Sequence, residues 1–192
     1  MHLPFDIPET IGVMWKALGV IWLVGLLVRR PSVVQESNRS WIAHACLAFA
    51  GCSLLGSQWL RVGWLGARFV GDSVEVQSVG FTLALCGCVM AIWARVTLGG
   101  NWSGRVALQR HHELVMEGPY AMARHPMYLG FLMALAGTVI VLGEMRGLLG
   151  FAVIVLALCL KMRLEERLML RAFPEEYGAY RRRVKALIPG VL

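Results

Sequence analysis

The chain has 192 residues, of which 57% are hydrophobic and only 16% charged. That is too apolar for an ordinary soluble domain of one-domain length, so lipid is the expected solvent. The net charge of +7 does not form a basic stripe, because Lys and Arg gather at the ends of apolar runs, and this argues against nucleic acid as a partner.

The first ten residues carry Pro4, Asp6, Pro8 and Glu9 and no Lys or Arg, so no cleavable signal peptide is expected and the first span is read as retained. Uncharged runs long enough to cross about 30 Å of hydrocarbon predict a helix over Ile11 to Val28, interrupted only by Lys16, and a second from Trp41 to Leu60. The third runs from Val76 to Ala94, the fourth from Met127 to Gly143, and a short fifth from Gly147 to Leu160, where Lys161 ends it. The fourth and fifth are close enough in sequence to form an antiparallel hairpin. The expected fold is therefore all-α, a polytopic transmembrane helical bundle of about five spans. Its N-terminal three-span region covers 1–98, and a second region, 99–192, holds a polar loop, the hairpin and a C-terminal helical tail. Lys16 is read as a snorkelling anchor and His44 as a hydrogen-bonding residue at a helix end. Cys46, Cys52, Cys86, Cys88 and Cys159 lie inside apolar runs without metal-ligand spacing and read as small helix residues.

Lys and Arg placement sets the expected orientation. The segments 29–40, 95–126 and 161–192 hold 3, 4 and 8 basic residues, against Arg61, Arg68 and Arg146 on the other side. With an odd number of spans this predicts N-out and C-in, which puts the polar loop and the tail in the cytosol.

Two polar clusters stand out. The first, between Gly99 and Gly130, contains Gly118-Pro119, a turn or helix-start signal, and Arg124-His125-Pro126, with Pro126 suited to the first turn of the fourth helix. The second is Lys161, Arg163, Glu165, Glu166 and Arg167. Taken singly, such residues are more often interfacial anchors or a salt-bridged helix extension. Hairpin geometry brings them together: from a turn near Met145, Tyr128 lies 17 residues back and Glu165 lies 20 forward. At about 1.5 Å per residue the two reach within roughly 5 Å of the same depth. Carboxylates, aromatic faces and main-chain groups at one place suit a cationic, nucleotide-like ligand. No Ser, Cys or metal triad is evident, which suits a methyl transfer that depends on alignment and desolvation.

His112-Glu113-Leu114-Val115, Gly118-Pro119-Tyr120, Arg124-His125-Pro126-Met127-Tyr128-Leu129-Gly130, Glu165-Glu166 and Phe173 to Tyr180 with Arg183-Val184 together resemble the isoprenylcysteine carboxyl methyltransferase family. The likeness runs from about Leu98 to Pro189. It implies S-adenosylmethionine as cofactor, held by His112, Glu113, Leu114, Val115, Tyr120, His125, Pro126, Met127, Tyr128 and Glu165. It also implies an amphiphilic or prenyl-like acceptor entering from the bilayer, with Lys161 or Arg163 as the basic contact to the acceptor. Two further readings remain open: a sterol-reductase-like oxidoreductase using a nicotinamide cofactor, and a non-enzymatic transport or assembly protein. The latter would usually place ionisable residues at mid-membrane, whereas here they gather at one face.

Overall fold

The computed structural model describes residues 6–27, 30–110, 113–188 and 190. Pro4, Val28, Arg29, His112 and Pro189, on which parts of the sequence reading rest, lie outside the described residues. Among the described residues, long helices form over each of the five apolar runs: α1 (Ile7–Leu27), α2 (Asn38–Gly56), α3 (Val74–Leu98), α4 (Pro126–Leu142) and α5 (Met145–Ala172). Three of them, α1, α3 and α5, are long and apolar enough to cross a membrane, while α4 is a shorter apolar helix of 17 residues. An apolar helical bundle of this kind is an integral membrane architecture.

Helix ends follow local chemistry. Ser37 and Ser73 cap α2 and α3 by accepting from the amides of Ser40 and Val76. Pro126 opens α4, where its missing N–H leaves no orphan, and Gly143 closes it in a left-handed conformation with φ 68°. The second apolar run is shorter as a helix than as a sequence: α2 stops at Gly56, and Gln58–Leu60 turns off as a 3-10 segment. The fifth is longer. Instead of ending near Leu160, α5 continues to Ala172 through the charged cluster, because straight-chain Lys, Arg, Glu, Leu and Met are strong helix formers whether lipid or water surrounds them. A last helix, α6 (Pro174–Arg183), begins at Pro174.

The helices pack mainly in two pairs, α3 on α4 and α2 on α5, with α1 lying along α3. Small residues make this possible. On α3, Gly80, Ala84, Gly87 and Ala91 meet Gly130, Ala134 and Gly137 of α4, so closely that a Cβ on Gly87 would strike the Ala134 amide and the Gly130 carbonyl. Gly51 and Gly150 bring α2 and α5 together in the same way. In α3, Cys86 is exposed and Cys88 buried, as an i, i+2 spacing dictates. Trp15 of α1 donates from Nε1 to Thr138 of α4 at 3.0 Å, giving a half-buried indole its partner.

Beside the helices lies an unexpected two-stranded antiparallel ribbon, β1 (Ser32–Gln35) and β2 (Ala107–Gln109). Its strands are too short to show a periodicity in the sequence. The ribbon ties the α1–α2 connection to the polar loop, and Glu36 extends it: the Glu36 amide donates to Val106 O at 2.8 Å, and the Val106 amide donates to Glu36 Oε1 at 3.0 Å.

Candidate active site

The end of the bundle opposite the α4–α5 turn holds the site, assembled by four pieces of chain. Tyr120 sits on a 3-10 turn, Gly118–Ala121, that Gly118 enters at φ 56° and Pro119 pre-shapes. His125, Met127 and Tyr128 stand at the start of α4, Glu165 and Glu166 near the end of α5, and Tyr177 and Tyr180 on α6. Tail and loop are stitched together by main chain, with Arg124 N donating to Lys185 O at 2.8 Å and His125 N to Ala186 O at 2.9 Å.

The expected meeting of Tyr128 and Glu165 is a hydrogen bond of 2.5 Å from the phenol to Oε1. The neighbouring glutamates are treated differently. Glu166 accepts from Arg124 Nε at 2.9 Å and Nη2 at 2.5 Å, lies 3.3 Å from His125 Nε2, and has Arg181 Nε at 3.5 Å. Its charge is spent on holding α4, α5 and α6 together. Glu165, one residue earlier and turned about 100° round the helix, has the neutral Tyr128 hydroxyl and His125 Nδ1 at 3.7 Å, and it lines an open cavity. The His125 ring stacks on Tyr128, with centroids 5.6 Å apart.

That cavity contains about 820 Å³ of empty space, counting the solvent at its mouth. Trp102, Tyr120 and Tyr128 supply aromatic faces, Leu114, Val115, Leu168 and Met169 an apolar wall, and Asn101, Arg105, Arg124, His125 and Glu165 polar groups. Burial raises the phenol pKa of Tyr120 and of Tyr177, and pushes that of Tyr180 up to about 12. The phenols therefore stay neutral donors, and Tyr180 spends its proton on Tyr120 O at 2.6 Å, fixing α6 over the Tyr120 turn.

Of the residues expected at the site, Leu114, Val115, Tyr120, His125, Met127, Tyr128 and Glu165 line the cavity. Pro126 is buried behind it as the first residue of α4. Glu113 is exposed and meets Asn101 only through its carbonyl, while His112 lies outside the described residues. Lys161 and Arg163 part company: Lys161 Nζ stands 5.9 Å over the Tyr128 ring and donates to Gly104 O at 3.0 Å, whereas Arg163 is exposed and lines no cavity described here.

The sequence reading missed Trp102, Asn101, Tyr177 and Tyr180 as cavity residues, and Arg124 as the clamp. It also missed Arg95, a buried arginine that donates to Gly25 O at 2.7 Å and Gly99 O at 3.0 Å and stacks on Trp102 at 4.4 Å. A charged residue at the end of an apolar run was the available signal for Arg95; nothing in the spacing of the α6 tyrosines marks them as facing inward.

Comparison with known proteins finds similarity over the stretch that carries most of this cavity. Residues 79–171 match the model of the isoprenylcysteine carboxyl methyltransferase family. The chain is 31% identical to protein-S-isoprenylcysteine O-methyltransferase B of Arabidopsis thaliana over 119 residues, covering 60% of each chain. It is 32% identical to the protein-S-isoprenylcysteine O-methyltransferase of Schizosaccharomyces pombe over 126 residues, 64% of this chain and 52% of the relative. It is also 34% identical to the cobalt-zinc-cadmium resistance protein CzcN of Cupriavidus metallidurans over 123 residues, 62% of this chain and 53% of the relative. The chain spans between about half and three fifths of the length of these relatives. The matched stretch, just under half of the chain, runs from α3 through α4 to the end of α5 and contains most of the cavity wall; over it the chain is similar to the isoprenylcysteine carboxyl methyltransferase family.

Proposed function

We propose that this protein is an S-adenosylmethionine-dependent methyltransferase that takes its donor from the cytosol and an amphiphilic acceptor from the bilayer. The observation that carries the reading is the unequal treatment of the two glutamates. Glu166 is paired with Arg124 and Arg181 and shares His125, while Glu165, with His125 Nδ1 at 3.7 Å and the Tyr128 hydroxyl, has no arginine partner among the described residues and lines an aromatic-walled cavity. A carboxylate with aromatic faces around it is a receptor for an organic cation.

The donor fits the residues present: Glu165 for positive charge or ribose hydroxyls, Trp102 and Tyr120 for a base or sulfonium, Leu114, Val115 and Met127 for apolar contact, and His125 and Tyr128 to keep Glu165 in place. When bound, S-adenosylmethionine supplies an already activated methyl group. The chain's own task is then to align two reactants and exclude water. The family match and the residues it covers support the same conclusion. Five spans with the N-terminus outside and the cavity facing the cytosol are the arrangement favoured by fifteen basic residues against three. Residues 1–98 then supply mainly the membrane scaffold and 99–192 the chemistry. For the acceptor, the relatives' names make an isoprenylcysteine carboxylate the first candidate, with Lys161 rather than the exposed Arg163 as the basic side chain near it.

Calorimetry on the full chain in nanodiscs tests this. Saturable S-adenosylmethionine binding is expected, lost in Glu165→Ala and in His125→Ala while helical content persists. Binding of a reduced nicotinamide in its place would favour the oxidoreductase reading, and binding of neither would defeat both.

A further inference from the structure

Behind the donor cavity lies a second one, between α2 and α5. It is lined by Ala45, Ala48, Ala157 and Leu158 on its apolar side, and by Glu36, His44 and Lys161 at its polar end. Gly104 lines it, between Ser103 and Arg105 of the donor cavity's wall, and Lys161, which also lines it, donates to Gly104 O at 3.0 Å and stands over Tyr128 of that wall. Its small apolar lining, continuous with the α2 and α5 surfaces, suits an alkyl chain.

The polar end is constructed in detail. Glu36 is held independently of His44, by the Val106 amide at 3.0 Å and by the Ser40 hydroxyl, which donates to Oε2 at 2.7 Å. His44 Nδ1 then lies 3.4 Å from Glu36 Oε2, at ion-pair distance though off the line of a hydrogen bond, and is otherwise unpartnered. His44 is not the helix-end residue expected from the sequence. It stands in the second turn of α2 and lines the cavity. A carboxylate at one ring nitrogen orients an imidazole and stabilises its protonated form, leaving Nε2 to take a proton.

A carboxylate acceptor is already ionised and has no use for such a pair. We infer that the cavity between α2 and α5 receives the acceptor, that His44 is its general base with Glu36 as the positioning residue, and that the acceptor's head group is a thiol or neutral amine with a proton to lose. This rests on the methyl-donor reading and differs from the carboxylate in the relatives' names. The balance is simple. The acceptor S–H or N–H proton passes to His44 Nε2 as the acceptor's lone pair forms the bond to the methyl carbon. The methyl–sulfonium bond breaks with its electron pair remaining on the donor sulfur, and a neutral thioether leaves. His44 later releases the proton to water.

The test uses the full chain in phosphatidylcholine–phosphatidylglycerol nanodiscs, with labelled S-adenosylmethionine and three probes of one chain length: dodecanethiol, dodecylamine and dodecanoate. Donor affinity is measured first by calorimetry, so that its absence overturns the methyl-donor reading separately. With donor binding present, label is expected on the thiol or amine in preference to the acid. His44→Gln should cut that turnover by about 100-fold or more at unchanged donor affinity. Glu36→Gln removes the carboxylate that orients the ring and should lower kcat on the thiol while KM and donor affinity stay unchanged. Independently of turnover, diethyl pyrocarbonate modification of His44, mapped by mass spectrometry, should be slowed by dodecanethiol. Preferred labelling of dodecanoate, labelling of none of the three, an undiminished His44→Gln, or no protection of His44 would each overturn the proposal.

Discussion

The two polar ends of the bundle contrast sharply. At the α4–α5 turn, Arg146 is only 1% exposed, pairs with Glu144 at 2.6 Å, and donates to the carbonyls of Leu54, Leu55 and Ser57, each at 3.0 Å. Those carbonyls are the orphan acceptors around the end of α2. Arg61 Nε completes the cluster on Glu144 at 2.8 Å, and Arg68 reaches Leu142 O at 3.4 Å. Every charge there closes on protein. At the other end Arg124 and Glu166 close in the same manner, but Glu165 and Lys161 are left beside cavities. Saturated charge clamps helices together, and charge beside open space can bind a ligand. The sequence pattern, Arg and Glu flanking apolar runs, is alike at both ends.

The sharpest way to break this comparison is at the clamp. Arg146→Ala takes from the buried Glu144 carboxylate the buried one of its two arginines, and from three carbonyls their donor, and should cost about 3–5 kcal/mol, seen as a large loss of thermal stability in detergent. If that variant melts like the parent, the turn end is not the structural one. Gly87→Val comes next: overpacking the α3–α4 seam should cost about 1–3 kcal/mol in the same melt, and lowers donor affinity only through loss of folded protein.

At the cavity end the effects should appear in binding instead. Glu165→Gln keeps the shape and removes the charge, so donor affinity should fall about 10- to 100-fold, the worth of a charge-assisted hydrogen bond, with little change in melting temperature. The reverse pattern, stability lost and affinity kept, would make Glu165 a second clamp. Tyr180→Phe removes one bond to Tyr120 O and should cost about 1 kcal/mol. Tyr180 also makes the smallest prediction, one of alkaline pH. Its folded-state pKa is raised to about 12 from an unfolded value of about 10, so its stabilising contribution is complete below the lower value and is lost as pH rises through the higher. A pH series of melts should show that decline in the parent and a weaker one in Tyr180→Phe.

The meeting of Tyr128 and Glu165 was legible because a short hairpin is a ruler: equal counts from one turn bring the two to one depth whatever else the chain does. Arg163 shows the limit of that ruler. It shares the depth of the site but faces outward on α5, and which face of a helix is covered depends on its neighbours. Glu36 and His44 were illegible for another reason. They come from a connection and a helix far from the motif-bearing region, and only the ribbon β1–β2, too short to read as strands, carries Glu36 to Val106.

By itself the sequence determined the solvent, the approximate helices and the depth of each polar residue, because apolar run length, capping and rise per residue are local properties. Only tertiary structure decided which helices pair, which glutamate is clamped by arginines and which lines a cavity, and that a second cavity lies near the first. Those depend on small residues letting backbones approach and on arginines choosing partners across the bundle. Both are agreements between segments distant in the chain, and no window of sequence contains them.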